Sequence, residues 1–101
     1  NGQLWILFLD ARRRQLPLMV PIEDLPVVPA PDDVESLVRV LDELRPEYDS
    51  VILVMERLGT DAVAAVDRRW AAALRTAAAD HAVSIAGIFA LTPDRVSPVR
   101  T

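Results

Sequence analysis

The stretch Leu4-Trp5-Ile6-Leu7-Phe8-Leu9-Asp10-Ala11-Arg12-Arg13-Arg14-Gln15-Leu16-Pro17-Leu18-Met19-Val20-Pro21-Ile22 decides the fold. Its first six residues, Leu4–Leu9, are all apolar. A run of that length fits a strand and is too short for a helix, and apolar side chains at both parities predict a strand covered on both faces. Ala11-Arg12-Arg13-Arg14 is a polar break of hairpin-loop length. From Gln15 to Ile22 the pattern alternates, with Leu16, Leu18, Val20 and Ile22 on one face and Pro17, Met19 and Pro21 on the other. Proline cannot donate to a ladder, so this second strand is predicted to lie at an edge, with Pro17 and Pro21 on its bare side. The two strands form an antiparallel hairpin.

Working outward, Glu23 to Pro31 holds Pro26, Pro29 and Pro31, a density no helix survives, and is expected to be an extended connection. Asp32 with Glu35 has capping-box spacing, and Val34, Leu37, Val38, Leu41 and Leu44 recur at three and four, so a helix is predicted from Asp33 to Arg45, ended by Pro46. Ser50–Met55 reads as a second buried strand. Gly59-Thr60-Asp61 breaks it and offers capping oxygens to a second, alanine-rich helix over Ala62 to His81, with Val63, Val66, Trp70 and Leu74 at helical spacing. Ser84 to Leu91 is the last predicted strand. The expected fold is therefore α/β (α+β): a single β-β-α-β-α-β domain over residues 1–101, with a mixed sheet, an N-terminal antiparallel hairpin and two backing helices. Trp5 and Trp70 are expected in the core. The order of strands in the sheet is left open by this pattern.

Composition narrows the function classes. The chain has 101 residues, 15 acidic and 11 basic side chains and a formal charge of −4. The absence of cysteine excludes disulfides, a thiol nucleophile and thiolate metal sites, and the single His81 excludes a multi-histidine site within one chain. Net acidity argues against a nucleic-acid binder. No apolar run approaches the ~20 residues that span a bilayer, and a soluble, cytoplasmic domain is expected. All eleven basic residues are arginine, which fits the coding bias of a GC-rich genome. The chain opens on Asn1-Gly2 with no initiator methionine, the expectation for a domain excised from a longer chain or a processed tail.

Few side chains point to chemistry. His81, near the end of the second helix, is expected to meet free terminal carbonyls and the helix dipole. Arg12, Arg13 and Arg14 are a candidate anion grip, against the plainer reading of a solvated hairpin tip. Glu56, Arg57, Asp61 and Asp67 gather where a strand ends and a helix begins, the edge at which α/β sheets bind ligands. There Arg57 would orient a carboxylate or phosphate by its planar fork, and Glu56 or Asp61 would serve as base or cation ligand. The plainer reading makes Asp61 a first-turn residue, and Asp67 with Arg68 and Arg69 an exposed helix face. No glycine-rich phosphate loop or serine elbow occurs, since Gly59 and Gly87 stand alone.

Leu7-Phe8-Leu9-Asp10-Ala11-Arg12, the hairpin, a helix, then Val51-Ile52-Leu53-Val54 and a capped helix resemble the JAB/MPN metalloprotease-like family, in its RadC-type bacterial branch. The similarity spans most of the chain but rests mainly on apolar strand residues. The resemblance implies a His-x-His zinc pair directly after Val54, then a serine and an aspartate on the next helix. Here the histidine positions hold Met55 and Arg57, the serine position Ala65 and the aspartate position Arg68, with Asp67 one residue early. No acidic residue precedes Leu4, where the family carries its catalytic glutamate. A catalytic zinc needs about three protein ligands, so the resemblance implies a metal-free relative without catalytic residues or cofactor. The leading expectation is a non-catalytic interaction or scaffold domain that self-associates as a homodimer, with a further protein partner unknown. Its motives are the alanine surplus of the second helix, the exposed hairpin edge and the scarcity of catalytic residue types. The alternative is a binder of a small anionic ligand or divalent cation, or an enzyme, at Glu56–Asp67.

Overall fold

The computed structural model describes residues 2–59 and 61–100. The elements are β1 (Gly2–Leu9), β2 (Gln15–Leu25), α1 (Pro31–Glu43), a 3-10 turn (Arg45–Glu47), β3 (Ser50–Glu56), α2 (Ala65–Asp80), β4 (Ile85–Leu91) and β5 (Val96–Pro98). They form one five-stranded sheet in the order β2-β1-β3-β4-β5. β3 and β4 run parallel, joined through α2, and the other neighbours are antiparallel. This is the mixed sheet with an N-terminal hairpin that the sequence predicts, plus one short strand it does not reveal. Three residues containing a proline are too few to show alternation, and β5 is defined by its pairing with Phe89–Leu91.

β2 lies at the edge, as its prolines require. It runs past Ile22 to Leu25, so Glu23 to Leu25 are strand, where an extended connection is predicted. The extension depends on a bulge. Between Gly2/Leu25 and Leu4/Ile22 the ladder takes one extra β2 residue, and Asp24 there has φ +56°. The bulge reverses parity and returns Leu25 to the core side, against which it packs. A second irregularity sets Leu7 and Leu9 against Met19 and Gln15. Leu18, predicted to share a face with Leu16, Val20 and Ile22, is 54% exposed as a result of lying in that irregular stretch.

Both helices pack on one face of the sheet. Leu4, Ile6 and Phe8 of β1, Leu53 and Met55 of β3, and Ile88 and Ala90 of β4 meet Val34, Val38 and Leu41 of α1 and Trp70, Leu74 and Ala78 of α2 in one core. β1 is thus covered by helices on one side only, against the expectation of two-sided cover. Apolar residues at both parities do not by themselves reveal what lies over the second face. Trp70 is buried, with its Nε1 donating to the Pro26 carbonyl (2.8 Å). Trp5 is not in this core; it stands half-buried on the opposite face.

The helix ends depart from the predicted caps. α1 begins at Pro31, two residues early, because proline fixes the φ of a first turn and loses no helical bond there. No side-chain cap bond is made, and Asp32 sits inside the first turn. α2 begins at Ala65, not Ala62; Asp61 precedes it, and Thr60 lies outside the described residues. The cap is supplied from within, since Asp67 Oδ2 accepts the Ala64 N–H at 2.9 Å. At the far end the Val83 and Ala82 N–H groups return to the carbonyls of Ala78 and Ala79, with Ala82 at φ +56°. That is a Schellman closure with alanine where glycine is usual. No helix among the described residues is long and apolar enough to cross a membrane.

Candidate functional site

Arg57 leaves the carboxyl end of β3, and Asp67 faces back from the first turn of α2. Arg57 Nε donates to Asp67 Oδ1 (3.1 Å) and Oδ2 (3.0 Å), and Nη2 donates to Oδ2 (2.7 Å) and to the Asp61 carbonyl (2.9 Å). The Asp67 side chain is 3% exposed and that of Arg57 14%. The reading of Asp67 as part of an exposed helix face, beside Arg68 and Arg69, is therefore corrected: it is buried, while Arg69 is exposed and Arg68 lies on the solvent side of the same turn. Hydrogen bonding to Asp67 raises the pKa of Arg57 further, with burial opposing it and the Asp67 and Asp61 charges adding to it.

The four predicted junction residues lie around one strand end but do not form one hydrogen-bonded cluster. Arg57 and Asp67 neutralise each other, and Asp61 joins through its backbone. Glu56 points to the other face of the sheet, where its Oε1 accepts the Trp5 indole N–H at 2.9 Å. Glu56, Arg57 and Asp67 all border one cavity of about 280 Å³, whose apolar wall is Leu25, Pro26, Met55, Val66 and Trp70. Arg57 borders this space with its guanidinium already bonded to Asp67.

The zinc-ligand positions implied by the JAB/MPN resemblance do not fit a metal. Met55 is 4% exposed and belongs to the core, Arg57 places a cation there, and Ala65 and Arg68 offer no donor. Among the described residues no three His, Cys, Asp or Glu side chains gather to hold an ion.

Arg12, Arg13 and Arg14 occupy the exposed tip of the β1–β2 hairpin. Asp10 organises this tip, its Oδ1 accepting the N–H groups of Arg12 and Arg14 and its Oδ2 bonding Arg14 Nε. These bonds, led by the Arg14 N–H, lower the Asp10 pKa. Arg14 is therefore committed, leaving Arg12 and Arg13 as the outward charges.

His81 does not bond terminal carbonyls, as its position suggests. Its ring reaches across to α1, Nε2 to Glu35 and Nδ1 to Asp42 (3.4 Å). Glu35 in turn contacts Arg39, and Asp42 contacts Arg45. The bond to Glu35 is the main cause of a raised His81 pKa, with Asp42 assisting against desolvation.

A further feature outside these clusters is the sheet face away from the helices. One row crosses all five strands through direct pairing: Pro21, Trp5, Val54, Phe89 and Pro98. The next row is Met19, Leu7, Ile52 and Gly87. A Cβ at Gly87 would fall 2.9 Å from the Phe89 ring, so the glycine makes room for that ring along the face. Met19 is 51% exposed and Val96, at the margin, 60%. The sequence signal for this face is the unbroken apolar run of β1, whose second parity points here and not under a helix.

No family model matches the chain, and no curated protein matches it. The class is defined by structure alone: a two-layer α+β domain with one apolar sheet face that no helix among the described residues covers.

Proposed function

We propose that this chain is a non-catalytic, cytoplasmic interaction domain that self-associates as a homodimer through the open face of its sheet. The observation that carries the reading is the pair of uncharged rows centred on Trp5, Leu7, Ile52, Val54 and Phe89. Scattered exposed apolar residues are ordinary, but a contiguous apolar patch of several hundred square ångströms marks an interaction surface. Five strands spaced about 4.8 Å apart, with roughly seven residues rising about 3.3 Å each, give a face of roughly 500 Å² in projection. The two uncharged rows, each taking about 6.6 Å of strand length, make roughly 300 Å² of it, the apolar centre of an interface to which each partner contributes roughly 800 Å² of accessible surface.

Two further features favour a second copy. The face carries no charge in its central rows, so two-fold pairing brings no like charges together, and closed two-fold dimers are the commonest soluble oligomers. Both sheet edges carry proline, Pro17 and Pro21 on β2 and Pro98 on β5, which disfavours growth by strand addition. The interface is thus the face, in place of the hairpin edge that the sequence suggests. The alanines of α2 give less support than their number implies, because Ala71, Ala77 and Ala78 are buried within the domain. The metal-free JAB-like relationship fits the non-ligating residues at Met55, Arg57, Ala65 and Arg68. The Glu56–Asp67 junction is the weaker reading, because its cation is already neutralised.

Sedimentation velocity on Val54→Lys and Leu7→Lys tests the proposal, with Ala72→Lys on the exposed side of α2 as control. Dimer in the parent and control, and folded monomer in the face variants, is the expected outcome. Should a lysine disturb folding by circular dichroism, Val54→Thr and Leu7→Thr replace them. Folded face variants that sediment like the parent would overturn the assignment.

A further inference from the structure

We infer that the two copies pack with their strands reversed, so that the arginine tip of each hairpin lies on the acidic end of β2 in the other. This rests on the proposed pairing of the open faces and adds its direction. Arg12 and Arg13 stand exposed at one end of the β1–β2 ribbon, and Glu23 and Asp24 stand exposed at the other. The central pair Leu7↔Met19 divides the ribbon. From Met19 to Glu23 and Asp24 is four to five residues along β2; from Leu7 to Arg12 is five along β1 and into the turn. At about 3.3 Å per strand residue, Glu23 lies roughly 13 Å from that central row, and the turn carrying Arg12 and Arg13 begins after Asp10, roughly 10 Å from it on the other side.

A two-fold axis lying in the interface, across the strands at the level of Leu7, Met19 and Ile52, exchanges the two ends. It sets Arg12 and Arg13 of one copy over Glu23 and Asp24 of the other, and does so twice in the dimer. An axis along the strands beneath the ribbon would instead confront tip with tip and acidic end with acidic end, placing like charges together; moved to the sheet centre, it would lay β2 over β5 and bring neither tip onto an acidic end of β2. Asp10 contributes to the selection, because it binds Arg14 and leaves the two outer arginines as the net charge of the tip. The apolar rows supply the contact area, and the charged ends choose the direction.

The experiment uses Arg12→Glu and Glu23→Arg, both at exposed positions, each alone and then mixed, with association followed by sedimentation velocity at low and high salt. Asp24 is left unchanged because its positive φ would confound the result. Each variant alone is expected to dimerise at least threefold more weakly than the parent at low salt. Their equimolar mixture is expected to recover parental association as a heterodimer. There the glutamate introduced at position 12 meets the arginine introduced at position 23, and the native Arg12–Glu23 pair is restored at the second contact. The deficits are expected to shrink at high salt. A parent that dimerises while neither variant nor mixture changes its association overturns the reversed packing and leaves the open-face pairing standing. A monomeric parent overturns both.

Discussion

Replacing Arg57 by alanine leaves the Asp67 carboxylate, 3% exposed, without its counter-charge. The three short contacts from Nε and Nη2 disappear, and only the Ala64 N–H remains on Oδ2. Breaking a fully buried pair costs about 3–5 kcal/mol. Arg57 is 14% exposed, and water can reach the vacated space, so a loss of about 2–3 kcal/mol is expected. Asp67→Ala removes the pair and the internal cap together, and a cap is worth about 1 kcal/mol; a comparable or slightly larger loss is expected. Because both substitutions break one interaction, the double variant should lose much less than their sum, with a coupling of about 1–3 kcal/mol. Urea denaturation followed by far-UV circular dichroism gives all four values. Losses below about 0.5 kcal/mol for both single variants would show the pair behaving like an ordinary surface ion pair, and would refute the reasoning.

Further predictions concern other parts of the fold. Ala82→Gly should stabilise the protein by about 0.5–1 kcal/mol, since glycine occupies the left-handed region without the Cβ cost and gives back part of that gain as unfolded-chain entropy; a lower denaturation midpoint would count against the Schellman assignment. Leu74→Ala, at a fully buried site, should cost about 2–5 kcal/mol, whereas Leu58→Ala, 86% exposed, should stay within about 0.5 kcal/mol. His81 has a folded pKa raised above 6.5, so its contribution is complete below that unfolded value and fades as pH rises through the folded one. The parent should therefore lose denaturation midpoint across that window, and a His81→Gln variant that loses just as much would remove the helix-bridging account. Asp10 has its pKa lowered from 3.8, so its contribution is present above that value and is lost as pH falls through the folded one. Asp10→Asn should accordingly flatten the acid limb of the stability profile.

Much of the fold is legible because it rests on local rules. Two prolines place β2 at an edge, and Val34, Val38 and Leu41 mark the buried stripe of α1. The elements that the sequence misplaces depend on relations a local pattern does not carry. The Asp24 bulge extends β2 by a parity change that appears only against Gly2 and Leu4. The start of α2 is set by Asp67 reaching back to Ala64, whereas Asp61 offers a more obvious capping oxygen. The junction residues Arg57, Asp61 and Asp67 meet at the strand end where they are predicted, but sequence proximity does not show that Arg57 and Asp67 satisfy each other. Glu56, adjacent to Arg57, faces the other way because strand neighbours alternate. The open face is present in the sequence as Trp5, Leu7, Ile52, Val54 and Phe89. What the sequence lacks is the count of helices against faces: α1 and α2, packed against each other, cover one side of a five-stranded sheet.

Sedimentation equilibrium of the unaltered protein across the micromolar range tests the central claim most directly. A species at twice 11.2 kDa that dissociates on dilution is the predicted result, whereas a monomer at every concentration would contradict the assignment of the open sheet face to a second copy.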